Sequence, residues 1–162
     1  MIYSFLQNGD SAVTVQFQNE ISKEVNSQVT ALCGRLEAKH IDGVIELVPT
    51  FASLTVFYDC SVISSKKLKK KIEALIKDGE SHAKGSARVW NIPVCYDDEF
   101  ALDMETVCSH TKLTREEVIL LHTSKPYLIY MLGFLPGFAY LGGMDERLFT
   151  PRLKTPRHLP KS

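Results

Sequence analysis

Two apolar stripes at helical spacing constrain the first half of this chain more than any other feature. Ile21, Val25, Val29, Leu32 and Leu36 recur every three or four residues, and so do Leu68, Ile72, Leu75 and Ile76. Each pattern puts its apolar side chains on one face of a helix. Ser22 stands ready to cap the first helix, and Ser64 and Ser65 precede the second. Short β-prone runs stand in pairs before each helix. Ile2–Leu6 and Ala12–Phe17 flank the turn Gln7-Asn8-Gly9-Asp10, and Asn-Gly is a strong hairpin signal. Val44–Val48 and Leu54–Tyr58 flank Pro49, and Arg88–Val94 reads as a further strand. Two helices that each bury one stripe need a common sheet face to bury it against. The order therefore predicts an α+β sandwich with a ferredoxin-like arrangement over residues 1–87. The polar, glycine-containing stretch Asp78–Ala87 reads as a boundary, with residues 88–162 as a second domain.

Charge excludes several function classes. The 19 basic and 19 acidic side chains cancel over the chain. They also cancel within each half, so no basic field invites nucleic acid. The lysine cluster 66–71 reads as a solvated helix face. With a mean hydropathy of -0.06 and no long apolar run, a membrane span is not expected. The N-terminus has no basic start and no small-residue cleavage site, so a cytoplasmic location is expected. Cys33, Cys60, Cys95 and Cys108 are widely spaced and read as buried reduced thiols. No histidine pair has metal-ligand spacing, and no metal site is expected.

In the second half, Asp97-Asp98-Glu99 with Asp103 and Glu105 is either a carboxylate cluster able to hold Mg²⁺ or a loop leading into a helix start. Thr114-Arg115-Glu116-Glu117 is a capping box ahead of Val118, Ile119 and Leu121. The two short helices predicted over 103–110 and 114–122 lack the basic and amide side chains of a DNA reader, so a packed helical hairpin is expected. Beyond the apolar run Tyr127–Leu132, the segment Gly133–Gly143 mixes Gly133, Gly137, Gly142 and Gly143 with Pro136, Phe134, Phe138 and Tyr140. Glycines permit positive φ or close approach of a ligand, and the segment reads either as a binding loop or as an aromatic-filled corner. It has no P-loop Lys-Ser/Thr pair. Arg152 and Arg157 follow Pro151 and Pro156 on extended backbone, and guanidinium forks suit carboxylate or phosphate.

The run from Met131 to Pro160 resembles G-F-x-P-G-F-x-Y-L-G-G-[LM]-[DP]-x-x-L-x-x-P-R of the 5-oxoprolinase B subunit family, also called allophanate hydrolase subunit 1, which includes the sporulation kinase inhibitor KipI. Asn8–Ala12, Gly43–Pro49, Ser53-Leu54 with Tyr58-Asp59, Ile92–Tyr96 and Leu121-His122-Thr123 are similar to further motifs of that family. The resemblance implies a ferredoxin-like domain followed by a cyclophilin-like β-barrel, with barrel strands around Tyr127–Leu132 and Leu148–Leu153. It also implies partner subunits C and A, and an assembled complex that uses ATP to open 5-oxoproline to glutamate. Family members continue with a glycine-rich segment and more strands, so the chain is expected to be C-terminally truncated, with a partial barrel, inactive alone and prone to associate. Lactam opening coupled to ATP needs a cation for phosphate charge and a group that moves a proton. Arg152 and Arg157 are candidates for the first role. His122 is the candidate for the second, or else a helix-end histidine that only satisfies carbonyls. Gly133, Phe134, Pro136, Gly137, Tyr140, Gly142 and Gly143 would line the site or a subunit interface. Inhibition of a sensor histidine kinase, and a part in allophanate or urea amide hydrolysis, are the competing functions.

Overall fold

The structure is a computed structural model that describes residues 2–79 and 88–155. It has two compact units, Met1–Ala87 with Ile129–Gly142, and Arg88–Leu128 with Gly143–Ser162.

The first unit follows from the two stripes. Strands β1 (Tyr3–Asn8) and β2 (Ala12–Phe17) form a hairpin, followed by α1 (Lys23–Lys39), β3 (Val44–Pro49), β4 (Ser53–Tyr58) and α2 (Ser65–Lys77). All pairs are antiparallel, in the order β1-β2-β4-β3, with Thr14 opposite Thr55 and Phe5 opposite Val15. Period-two alternation sends Val13, Val15 and Phe17 of β2, and Leu54, Val56 and Tyr58 of β4, to one face. There they meet Val25, Val29, Leu32 and Leu36 of α1 and Leu68, Ile72 and Ile76 of α2. Each side chain taken fully out of water in this layer contributes about 1.5–3 kcal/mol. The predicted α+β layering is what the chain adopts. Its helix starts are also where serine places them: Ser22 Oγ accepts from Val25 N at 3.1 Å, and Ser64 Oγ from Lys67 N at 3.4 Å. Ile21 departs from the expected stripe. It precedes the cap and is 71% exposed.

The opposite sheet face carries a polar row. Asn8 Nδ2 donates to Thr14 Oγ1 at 2.6 Å, and Thr14 Oγ1 lies 2.7 Å from Thr55 Oγ1. Leu6, Val48 and Phe57 are exposed.

The second unit contains α3 (Met104–Thr111), α4 (Arg115–Thr123) and a 3-10 turn at Glu146–Leu148 around Met104, Val118 and Leu148. The Thr114 capping box closes in both directions, with Glu117 N to Thr114 Oγ1 at 3.2 Å and Thr114 N to Glu117 Oε2 at 2.8 Å. Two expected strands do not form. Arg88–Val94 has the right composition, but among the described residues no neighbouring strand completes its ladder, and Trp90 and Ile92 stay exposed. Leu148–Leu153 begins in the 3-10 turn, and Pro151 has no N–H to give a sheet. The boundary stretch predicted at 78–87 falls mostly outside the described residues.

The thiols also depart from expectation. Cys60 and Cys95 are exposed and only Cys33 is buried. Burial, with the Glu37 carboxylate beside it, pushes the Cys33 thiol up to about 11. A thiol reagent at mildly alkaline pH should therefore label Cys60 and Cys95 quickly and Cys33 only on unfolding; rapid labelling of Cys33 in the folded chain would contradict its placement. In urea unfolding, Leu54→Ala, at a fully buried site, should cost about 2–5 kcal/mol. Leu6→Ala, on the open face, should stay within about 0.5 kcal/mol.

Candidate functional site

The glycine-rich segment forms the connection and second strand of a two-stranded sheet, β5 (Leu128–Leu132) and β6 (Ala139–Gly142), which from Ile129 onward belongs to the first unit. Gly133 N donates to Phe138 O at 3.0 Å and Phe138 N to Leu135 O at 3.0 Å, closing the connection. Gly137 sits at φ 79°, where a side chain is strained. A Cβ on Gly142 would collide with the Tyr130 ring, so this glycine is needed for close packing. Phe134 adopts φ 65° although it is not glycine. The residue is 83% exposed, and its ring starts an edge-to-face row, with Phe134–Phe138 centroids 5.9 Å apart and Phe138–Tyr140 5.2 Å apart. The whole piece is tied to α1 by one buried amide: Asn26 Nδ2 donates to the Tyr130 carbonyl at 2.9 Å. Of the two sequence readings, the aromatic corner describes the loop's own packing. The exposed apolar row leaves it a surface as well.

In the second unit, the end of α4 carries His122. The helix-end reading expects this ring to meet terminal carbonyls, but its Nδ1 is hydrogen-bonded to the Tyr96 hydroxyl. The His122 carbonyl is instead satisfied by the Tyr127 hydroxyl at 2.9 Å, and the Leu121 carbonyl by Ser124 Oγ at 2.9 Å. The imidazole lies between two phenols, edge-on to Tyr96 at 5.9 Å and tilted to Tyr127 at 5.6 Å between ring centroids. Burial raises the Tyr96 phenol above its ordinary range. It does the same at Tyr127, reinforced by Tyr96 and Asp145, so both hydroxyls keep their protons. The Arg115 guanidinium donates to the Tyr96 carbonyl and pairs with Asp98 at 2.7 Å, which fixes the segment bearing Tyr96. Tyr96, His122 and Asp103 form the polar part of the lining of a cavity of about 400 Å³ whose walls include Phe100, Met104, Val107, Val118 and Leu148. A small apolar pocket with a few convergent polar groups is the common form of a ligand site.

The other sequence candidates are placed less informatively. Arg152 is exposed in the second unit, and Arg157 lies outside the described residues. Gly133, Phe134, Pro136, Gly137, Tyr140 and Gly142 belong to the first unit with Asn26, and Gly143 to the second. The acidic stretch resolves as a helix entry: Asp103 is the N-cap residue of α3, Glu105 is in its first turn, and Asp98 pairs with Arg115. Sequence reasoning singles out His122 but not Tyr96 or Tyr127 as its partners. Tyr96 ends the family-like run Ile92–Tyr96, and Tyr127 follows Pro126 close behind the helix.

The layering defines an α+β protein with a small antiparallel sheet. Residues 3–161 match the family described as carboxyltransferase domain, subdomain C and D, and the chain belongs to that family. It is 41% identical over 165 residues to the 5-oxoprolinase B subunit of Bacillus subtilis (strain 168), covering 96% of this chain and 69% of that protein. It is 35% identical over 149 residues to the 5-oxoprolinase B subunit of Haemophilus influenzae (strain ATCC 51907 / DSM 11121 / KW20 / Rd), covering 91% of this chain and 68% of the other. Among solved structures, the crystal structure of TTHA0988 superposes with a TM-score of 0.77 at 31% identity, over 90% of this chain and 28% of that one. The chain thus spans about two thirds of the two bacterial relatives and little more than a quarter of TTHA0988.

At the turn after β6, the Asp145 carboxylate takes hydrogen bonds from Arg147 Nε at 2.9 Å and Nη2 at 3.0 Å. These bonds hold the Asp145 carboxyl down at about 2. A depressed carboxyl supports the folded turn above the ordinary carboxylate range and loses that support as pH falls through about 2. Carbon-detected titration should find the Asp145 midpoint near 2, and Arg147→Ala should return it toward about 3.9.

Proposed function

We propose that the chain is the B subunit of an ATP-dependent 5-oxoprolinase that opens 5-oxoproline to glutamate. The observation that carries this is its 41% identity, over 96% of its length, to a protein of that name. Histidine-kinase inhibition and allophanate or urea chemistry have no support of that strength. The first unit reads as ferredoxin-like with its outer strand at the N-terminus. The order β1-β2-β4-β3, with α1 joining β2 to β3 across β4, is what that permutation requires. The second unit and β5–β6 read as part of the cyclophilin-like barrel that the family resemblance implies.

Ring opening of a lactam is uphill unless coupled, and ATP hydrolysis in the assembled complex offsets it. In this reading the cavity beside Tyr96 and His122 takes the amide end of the small substrate, and His122 handles a proton or hydrogen bond there. Arg152 and Arg157 meet phosphate charge. The exposed row from Phe134 to Tyr140 serves contact with subunits C and A, since exposed apolar patches mark such surfaces. The complex works in the cytoplasm.

The test supplies subunits A and C and measures ATP hydrolysis that depends on 5-oxoproline. The chain alone should show none and the complex should turn over. His122→Ala should lower kcat of the complex by about 10²–10⁴-fold, the range for loss of a positioned acid–base group or of a donor at developing charge. A complex without 5-oxoproline turnover would end the 5-oxoprolinase assignment, whereas full activity in His122→Ala would end only the role given to that residue.

A further inference from the structure

The Tyr96–His122 contact decides which ring nitrogen can face a ligand. Tyr96 keeps its phenolic proton because burial raises its ionisation. A neutral phenol has one hydrogen to donate. Among the described residues, the partner of that hydroxyl is His122 Nδ1. If Nδ1 carried the imidazole proton and donated it to the phenol oxygen, the phenol's own hydrogen would have no acceptor among the described residues in a partly buried position, an outcome that folded proteins avoid. With the phenol donating, both groups are satisfied, and the remaining imidazole proton must sit on Nε2. The surroundings hold the pair in register. Arg115 donates to the Tyr96 carbonyl and is anchored by Asp98 at 2.7 Å, while Tyr127 donates to the His122 carbonyl at 2.9 Å. Nε2 has no protein partner among the described residues, and the ring borders the cavity of about 400 Å³.

We infer that Tyr96 is a positioning residue that holds neutral His122 as its Nε2–H tautomer, so that His122 meets the substrate's amide oxygen as a hydrogen-bond donor and not as a base. This deepens the 5-oxoprolinase reading and rests on it for the identity of the substrate; the tautomer itself does not. A neutral imidazole N–H suits an amide oxygen, because it orients and polarises the carbonyl without adding a cation to a largely apolar wall in which Asp103 is the charged member. The Nε2 lone pair is absent in this tautomer, so abstraction of a proton by that nitrogen is closed while Tyr96 stays bound.

Ring-¹⁵N-histidine labelling of the full chain tests this without substrate. Spectra are taken at alkaline pH, where imidazoles are neutral, and His122→Gln identifies the His122 signals. Nε2 should appear protonated and Nδ1 unprotonated, with the Nε2–H form in excess by about tenfold, the bias that one good hydrogen bond supplies. Tyr96→Phe should raise the Nδ1–H fraction, whereas Tyr127→Phe, which removes a hydroxyl beside the same ring but none from the nitrogen, should leave it unchanged. A wild-type spectrum with Nδ1 protonated overturns the inference, as does an equal response to the two Phe variants. In the assembled complex, His122→Gln keeps an N–H donor and should retain about tenfold more kcat/KM than His122→Ala. Equal loss in both would restore the base role and overturn the donor role. A complex that fails to turn over at all would instead count against the 5-oxoprolinase reading, with the tautomer result standing.

Discussion

One sheet face must lie under two helices, and the rest of the first unit depends on that constraint. Register along β2 and β4 is fixed because a slip by one residue would put Val13, Val15, Leu54 and Val56 into water and Thr14 and Thr55 into the core. The constraint also sets where α1 lies. Among the buried residues of that helix, Asn26 is the polar one, and its amide reaches the Tyr130 carbonyl. A buried amide that found no partner would weaken the unit, so the hydrogen bond to β5 satisfies the asparagine and locates the β5–β6 pair together. One helix therefore does two jobs: its apolar stripe organises the sheet, and a single side chain beside that stripe holds the aromatic connection.

The parts of the fold that could be read from sequence are those decided by neighbours close along the chain. Helical spacing from Val25 to Leu36 and from Leu68 to Ile76, and serine caps at Ser22 and Ser64, act within a turn or two. The Thr114–Glu117 box does the same. Ile21 fits the spacing yet sits outside the cap, because periodicity alone does not say where a helix begins. Arg88–Val94 has strand composition, but a strand exists only where another strand completes its hydrogen bonds. Trp90 takes a different partner, with the Arg88 guanidinium 4.6 Å from its ring centroid.

The site divides in the same way. His122 stands out by its chemistry and its place near a helix end. Its contact with Tyr96 spans 26 residues of sequence and exists only once α3 and α4 have packed. Residue type offers no reason to prefer Tyr96 over the other tyrosines, although the run Ile92–Tyr96 is one of the segments that carry the family resemblance. Arg152 stands out for its fork and its proline neighbour, features that describe what it can bind and not what surrounds it.

Phe134 has a consequence of another kind. Its backbone lies in the left-handed region, where glycine rests easily and a phenylalanine is strained. The residue is largely in solvent, so apart from the edge contact with Phe138 little intramolecular packing offsets that strain. Glycine at this position would relax the loop and erase the tip of the aromatic row. Local comfort of the backbone and the chemistry presented to the outside thus pull in opposite directions at one residue. The tightest bend in the connection is also its most hydrophobic point of contact with the world.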